Sequence, residues 1–292
     1  MKRKIVIVCL AILVLITAFG LTQIPFRKKT ELDIDVFIGS WKNSKSRSMY
    51  GSLEVRDILT KCKGNPLRPG KKGAVLTGIN SLSFAMLKEN TSTTPSKLKE
   101  EQFIIYINSG KGIIKSGGKT VDLNEGIGVL MPPGIEFSMT NTGNETLTMY
   151  IISEPIPEGF NPRMWMVVKD EYDNPISTNL TRTNRTDDWL FSRNDGLSTF
   201  VSINPIMFEP KSLVQPHLHP EGIEEVWIAL KGDITIQIGD QRRKLPEGSA
   251  YKAPADGITP HTNINNTDVS KKMIWMMKYP VSNNQTTSNS IM

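Results

Sequence analysis

A gap-free internal repeat constrains this chain more than any other feature. Residues 103–132, "FIIYINSGKGIIKSGGKTVDLNEGIGVLMP", align with residues 225–254, "EVWIALKGDITIQIGDQRRKLPEGSAYKAP", at a constant shift of 122 residues. Gly110 matches Gly232, Ile114 matches Ile236, and Gly117 matches Gly239. Leu123, Glu125, Gly126 and Pro132 match Leu245, Glu247, Gly248 and Pro254. The matches fall mostly on glycines and a proline, residues that set backbone geometry rather than surface chemistry. In the second copy, "VWIAL" and "ITIQI" are rich in β-branched and apolar residues. "SGGK" and "GDQR" stand where a tight hairpin turn belongs, and "LNEG" and "LPEG" form the next turn. The chain is therefore expected to be all-β, with two tandem small antiparallel β-barrels. Only "SLEVRDILTK", residues 52–61, has the spacing of an amphipathic helix. The run "VWIAL" lacks alternation, as expected of a strand buried on both faces, so the two units should pack together. The sequence leaves a monomer or a homodimer open.

The flanks set the domain limits. "MKRK" precedes the apolar run "IVIVCLAILVLITAFG", which reads as a secretory signal over residues 1–20, cut after Gly20. The competing reading is an uncleaved membrane anchor, the only membrane association expected. Residues 21–160 then form the first barrel and 161–282 the second, with "EPIPEGFNPR" and "STNLTRTNRTDD" as connection and loop. The polar tail 283–292 is expected to be disordered. The formal charge of +6 loses half its excess when Lys2, Arg3 and Lys4 leave with the signal, too little to argue for nucleic acid. Cys62 would be the only cysteine left, so no internal disulfide can form and the core must hold the fold.

The chain has three histidines, and all lie in or beside the second copy: His217, His219 and His261. In an extended segment, His217 and His219 project to one face. Glu225 opens the next strand and shares its face with Trp227. Three imidazoles and a carboxylate suit a divalent transition metal. Glu224 and Glu221 lie near the expected mouth, where either could act as acid or base. Trp227 and Tyr251 could line a substrate pocket.

"HLHPEGIEEVWIALKG" followed by "GSAYKAPADGITPHTNIN" resembles the two signature motifs of the cupin superfamily, and the repeat makes the chain similar to a two-domain member, a bicupin. Gly248, Pro254, Gly257, His261 and Asn265 match the second motif in order. The resemblance implies jelly-roll-like barrels with a metal held by His217, His219, Glu225 and His261. Five residues separate His219 from Glu225, where three or four are commoner in the family. Glu224 would shorten that gap, but it breaks the alignment with the first copy and points away from Trp227, so Glu225 is the preferred ligand. The resemblance implies manganese or iron, with zinc, nickel or copper as alternatives. It also implies metal-dependent chemistry on a small molecule, as a dioxygenase or oxidase, an isomerase or a lyase. The other reading is a non-catalytic, metal-bearing sugar-binding or structural protein.

The first copy lacks the donors. The shift of 122 puts Pro95, Lys97 and Phe103 at the positions of His217, His219 and Glu225. In "PPGIEFSMTN", Phe137 stands at the histidine position and Asn141 follows. An apolar, metal-free scaffold is expected.

Overall fold

The computed structural model describes residues 32–173, 176–178, 183–186 and 190–279. The expected signal segment, the expected disordered tail and half of "STNLTRTNRTDD" lie outside the described residues.

Each half of the described chain pairs a large antiparallel sheet with a four-stranded one. In the first half, seven strands run in the order Val167–Asp170, Ile127–Met131, Glu101–Ser109, Leu147–Pro155, Ser81–Leu87, Leu53–Thr60 and Ser46–Met49. The four-stranded sheet is Ser96–Lys97, Glu136–Asn141, Gly112–Ser116 and Lys119–Leu123. In the second half the large sheet contains Ile38–Ser40, Ser249–Lys252, Glu224–Lys231, Lys271–Lys278 and Ser202–Phe208 in that order, then the segments after Asp173. Its four-stranded sheet is Ser212–Leu213, His261–Asn265, Ile234–Ile238 and Gln241–Leu245. These are the two tandem jelly-roll-like units the repeat predicts. The matched glycines sit where left-handed backbone is required. Gly110 and Gly232 have φ of +88° and +73°, and Gly126 and Gly248 have +91° and +82°.

The two halves share one interface because the central strands are apolar on both faces. Phe103, Ile105 and Ile107 point into the first unit's core, while Ile104 and Tyr106 join a second cluster with Val226, Ile228, Ile274 and Met276 of the other half. Period-two alternation thus serves two cores at once. Carboxylates reinforce the contact. Glu154, buried, accepts from Gln102 and from the backbone N–H groups of Ser198, Thr199 and Phe200. Glu171 pairs with Lys272 and accepts from the Tyr106 hydroxyl at 2.9 Å.

One sequence expectation needs correction. Residues 52–61 form a strand, Leu53–Thr60, not a helix. A register shift between Asp57 and Leu59 switches its apolar face: Leu53 and Val55 enter the first core, whereas Ile58 and Leu59 enter the inter-unit cluster. That switch produces helix-like spacing without a helix. Strand pairing also links the two halves to each other. Val167–Asp170 pairs with Ile127–Met131 of the first unit, and Ile38–Ser40 pairs with Ser249–Lys252 of the second. Each half lends the other an edge strand, which also covers the edge.

Candidate metal centre

The second unit brings four side chains to one point. His217 does not lie on a regular strand; it makes a single bridge to His261, with N–H groups donated both ways at 3.2 and 2.8 Å. His219 follows on the same extended segment, held by the Gly257 N–H donating to its carbonyl at 2.9 Å. Glu225 is the second residue of Glu224–Lys231, and His261 opens His261–Asn265. The Glu225 Oε2 atom contacts all three Nε2 atoms: His219 directly, His217 and His261 at 3.6 Å each. The four prospective ligand atoms lie within 4.8 Å of one another. His219, Glu225 and His261 are buried, whereas the His217 side chain is 38% exposed.

The fit to a cation rests on unsatisfied atoms. His219 Nε2, Glu225 Oε2 and His261 Nε2 are buried, and their mutual contacts lack hydrogen-bond geometry. Burying such atoms without partners costs about 1–3 kcal/mol each, a cost that an ion bound among them would remove. Three nitrogens and one carboxylate oxygen form a donor set for a divalent transition ion. Burial alone would raise the Glu225 carboxyl, but the three imidazoles hold it well below the ordinary range. Burial lowers His261, with Glu225 opposing. The Glu225 carboxylate raises His217 against the effect of its burial.

The outer contacts orient these groups. His217 Nδ1 faces the Gln215 carbonyl at 2.9 Å, which leaves Nε2 for the centre. The Trp227 indole N–H donates to Glu225 Oε1, so Oε2 alone turns to the imidazoles. Trp227 is buried, packing against Phe208 with ring centroids 6.0 Å apart. The Tyr251 hydroxyl, also buried, lies 3.2 Å from His261 Nδ1 and 3.0 Å from Asn263 Oδ1. Both residues expected to line a pocket are in contact with the ligand candidates, Trp227 with Glu225 and Tyr251 with His261. Glu224, the candidate acid or base, is fully buried on the opposite face of its strand, where it accepts from Thr77 and from the Gly78 and Ile79 N–H groups. Glu221 is exposed.

Sequence reasoning missed Asn263. It lies two residues beyond His261 on the same strand, and that spacing is the signal that places both on one face. Asn265, the motif asparagine, has a structural role: its Nδ2 donates to the carbonyls of Phe208, Glu209 and Val269. Asn141 does the same for Leu87 and Glu145, which explains why the asparagine persists in the copy without donors.

In the first unit, Phe103 and Phe137 are buried core residues, with Tyr50 edge-on to Phe137 at 5.5 Å. Register corrects the expected equivalences by one residue. Phe137 pairs with Ser96 as His261 bridges His217, so Ser96 and Leu98, not Pro95 and Lys97, hold the positions of His217 and His219. The long His219-to-Glu225 gap is therefore a one-residue insertion in the second unit. Neither serine nor leucine restores the donor set.

The cupin domain family matches the sequence twice, over residues 83–153 and 206–277. No curated protein matches significantly. Similar solved structures include an oxalate decarboxylase from Lactobacillus farciminis in complex with formate (12% identity, 84% of this chain and 86% of that chain, TM-score 0.61). The bacterial pirin of Escherichia coli in complex with nickel(II) is comparable (12% identity, 84% and 99% coverage, TM-score 0.60). So is vicilin from hazelnut, Corylus avellana (12% identity, 83% and 85% coverage, TM-score 0.62). At these identities the likeness concerns the fold.

Proposed function

Because this chain is a two-domain cupin, we propose that its C-terminal domain holds one divalent transition metal, manganese or iron, among His217, His219, Glu225 and His261, and acts with it on a small oxygen-rich molecule such as a carboxylate, phenol or sugar derivative. The observation that carries the proposal is the convergence of three imidazole nitrogens and Glu225 Oε2, with His219 Nε2, His261 Nε2 and Oε2 buried and without hydrogen-bond partners. An ion held there would supply Lewis-acid or redox chemistry to a ligand oxygen. The protein's part is binding, orientation and exclusion of water. His217 is the most exposed ligand, so access is from its side. The buried surroundings of the other three ligands strengthen electrostatic contacts with a bound anion. The leader "MKRKIVIVCLAILVLITAFG" adds the proposal that the protein works outside the cytoplasm, with a mature N-terminus near Leu21.

A second reading is a metal-bearing protein without turnover, favoured by the near-complete burial of three of the four ligands. One experiment separates the two. A panel of carboxylates, phenols and sugar derivatives is offered to metal-loaded, metal-stripped and Glu225→Ala protein while oxygen uptake and product are followed. Metal-dependent oxygen uptake identifies an oxidase or dioxygenase, and product without oxygen uptake an isomerase or lyase. Tight binding with no turnover under any loaded metal selects the second reading.

A further inference from the structure

We propose that Tyr251 and Asn263 form a relay that sets the tautomer of His261 and thereby makes the cluster competent to hold a cation; the second half of this statement rests on the metal reading above. The relay follows from counting protons. His261 Nδ1, the Tyr251 hydroxyl and Asn263 Oδ1 form a chain with separations of 3.2 and 3.0 Å. All three side chains are buried, so bulk water does not supply a substitute partner. An amide oxygen can only accept, so the single hydroxyl proton goes to Oδ1. The hydroxyl oxygen can then only accept from His261, which places the imidazole proton on Nδ1. The lone pair is left on Nε2, the atom aimed at Glu225 Oε2. Reversing the relay would have Tyr251 donate to Nδ1 and would put a hydrogen on Nε2, where it blocks an ion.

The opposite end of the cluster, which is exposed, shows the same rule by different means. His217 Nδ1 faces a backbone carbonyl, an acceptor whose direction no side chain can reverse. His261 depends on side chains, and its tautomer is therefore set by residues that substitution can change.

The first domain supports the assignment independently. Its strand pairing places Val129 opposite Ile105 as Tyr251 stands opposite Trp227, and Met139 opposite Ile114 as Asn263 stands opposite Ile236. Val129 and Met139 are therefore the counterparts of the relay, and both are buried in the apolar core. The domain that has lost the donors has lost the relay with them. A tyrosine and an asparagine serving only the barrel's packing would have no reason to be absent together with the ligands. Asn263 Nδ2, buried without a partner, is a standing cost of the orientation that presents Oδ1 to Tyr251.

The test uses full-length, metal-free, 15N-labelled protein at a pH of about 8, above the ordinary imidazole range. Two-bond 15N–1H correlations distinguish the two neutral tautomers. With three histidines in the chain, His217→Ala and His219→Ala assign the remaining signal. The expected result is an Nδ1–H tautomer for His261 in the wild type. It should shift towards Nε2–H in Tyr251→Phe and Asn263→Leu, and return to Nδ1–H in Asn263→Asp, which restores an acceptor. Nickel(II) affinity, measured by titration, should fall about 10- to 100-fold in the first two variants and recover to within a few-fold in the third. Matching melting curves for Asn263→Leu and Asn263→Asp keep folding out of the comparison. An Nε2–H tautomer in the wild type, or an unchanged tautomer in both Tyr251→Phe and Asn263→Leu, overturns the relay. The expected tautomer shifts in a wild-type protein that takes up no nickel(II), manganese(II) or iron(II) would overturn the metal reading instead and leave the tautomer assignment standing.

Discussion

Glu224 and Glu225 are consecutive residues whose carboxylates serve opposite faces of one strand: Glu225 faces the three imidazoles, and Glu224 grips the Thr77–Ile79 backbone of the other domain. The N-terminal domain therefore braces the strand that carries the only acidic member of the cluster. This gives a domain without donors a mechanical part in the site.

Glu224→Gln is expected to destabilise the protein by about 3 kcal/mol, because an amide cannot accept from every donor that the carboxylate satisfies. It should also weaken metal binding through the neighbouring Glu225. Glu154→Gln is the control. It breaks the comparable grip on Ser198, Thr199 and Phe200 from a strand that carries no ligand. It should cost similar stability and leave metal affinity unchanged. Denaturant unfolding and metal titration of both variants check this, and equal loss of affinity in the two would refute the bracing role.

Trp227→Phe keeps most of the packing against Phe208 but removes the N–H that occupies Glu225 Oε1. Metal affinity should fall about tenfold as the carboxylate gains rotational freedom. Isothermal titration measures it, and wild-type affinity in this variant would show that the indole only fills space.

Phe103→Ala and Phe137→Ala should each destabilise by about 3 kcal/mol or more, since both rings fill the first domain's core. Phe137→His should create no second metal site, because Ser96, Leu98 and Phe103 supply neither imidazole nor carboxylate. Thermal melts and metal content of the three variants report the outcomes. A second equivalent of metal in Phe137→His would show that the first domain retains a hidden donor set.

Acid should release the metal, and His217 should take the first proton. An imidazole must be neutral to bind an ion. The Glu225 carboxylate raises His217, so its protonation begins above the ordinary imidazole value of about 6.5 as pH falls. Burial lowers His261, which stays neutral to lower pH. In the metal-free protein the two act oppositely on stability. The raised His217 contributes stability below its unfolded value that is lost as pH rises through its folded value. The lowered His261 loses stability as pH falls through about 6.5, where the unfolded chain takes up the proton first. The increase in melting temperature on adding metal should therefore be largest near pH 8 and shrink steadily towards pH 5.5, as proton competition sets in. A metal-induced increase that stays constant over this range would contradict the ligand assignment.

Much of this architecture was legible in the sequence because it depends on local chemistry. The matched glycines carry positive φ in both copies, so a weak repeat was enough to reveal two β units. The ligand candidates stood out because three histidines gather in one copy. What remained hidden depends on cross-strand register. Trp227 and Tyr251 were visible as neighbours of the site, but only pairing shows which ligand each one contacts. The role of Glu224 could not be read because its partners lie about 146 residues earlier, in the other domain. The strand at residues 53–60 looked helical because a bulge moves its apolar residues from one core to the other.

The most direct test is the metal content of purified protein, compared with that of His217→Ala/His219→Ala. The account predicts about one divalent transition ion per wild-type chain, since the described residues contain one cluster of suitable donors, and its loss from the double variant, which keeps only Glu225 and His261. Full metal content in the double variant, or a wild-type protein that takes up no ion when loaded with manganese(II), iron(II) or nickel(II), would contradict it.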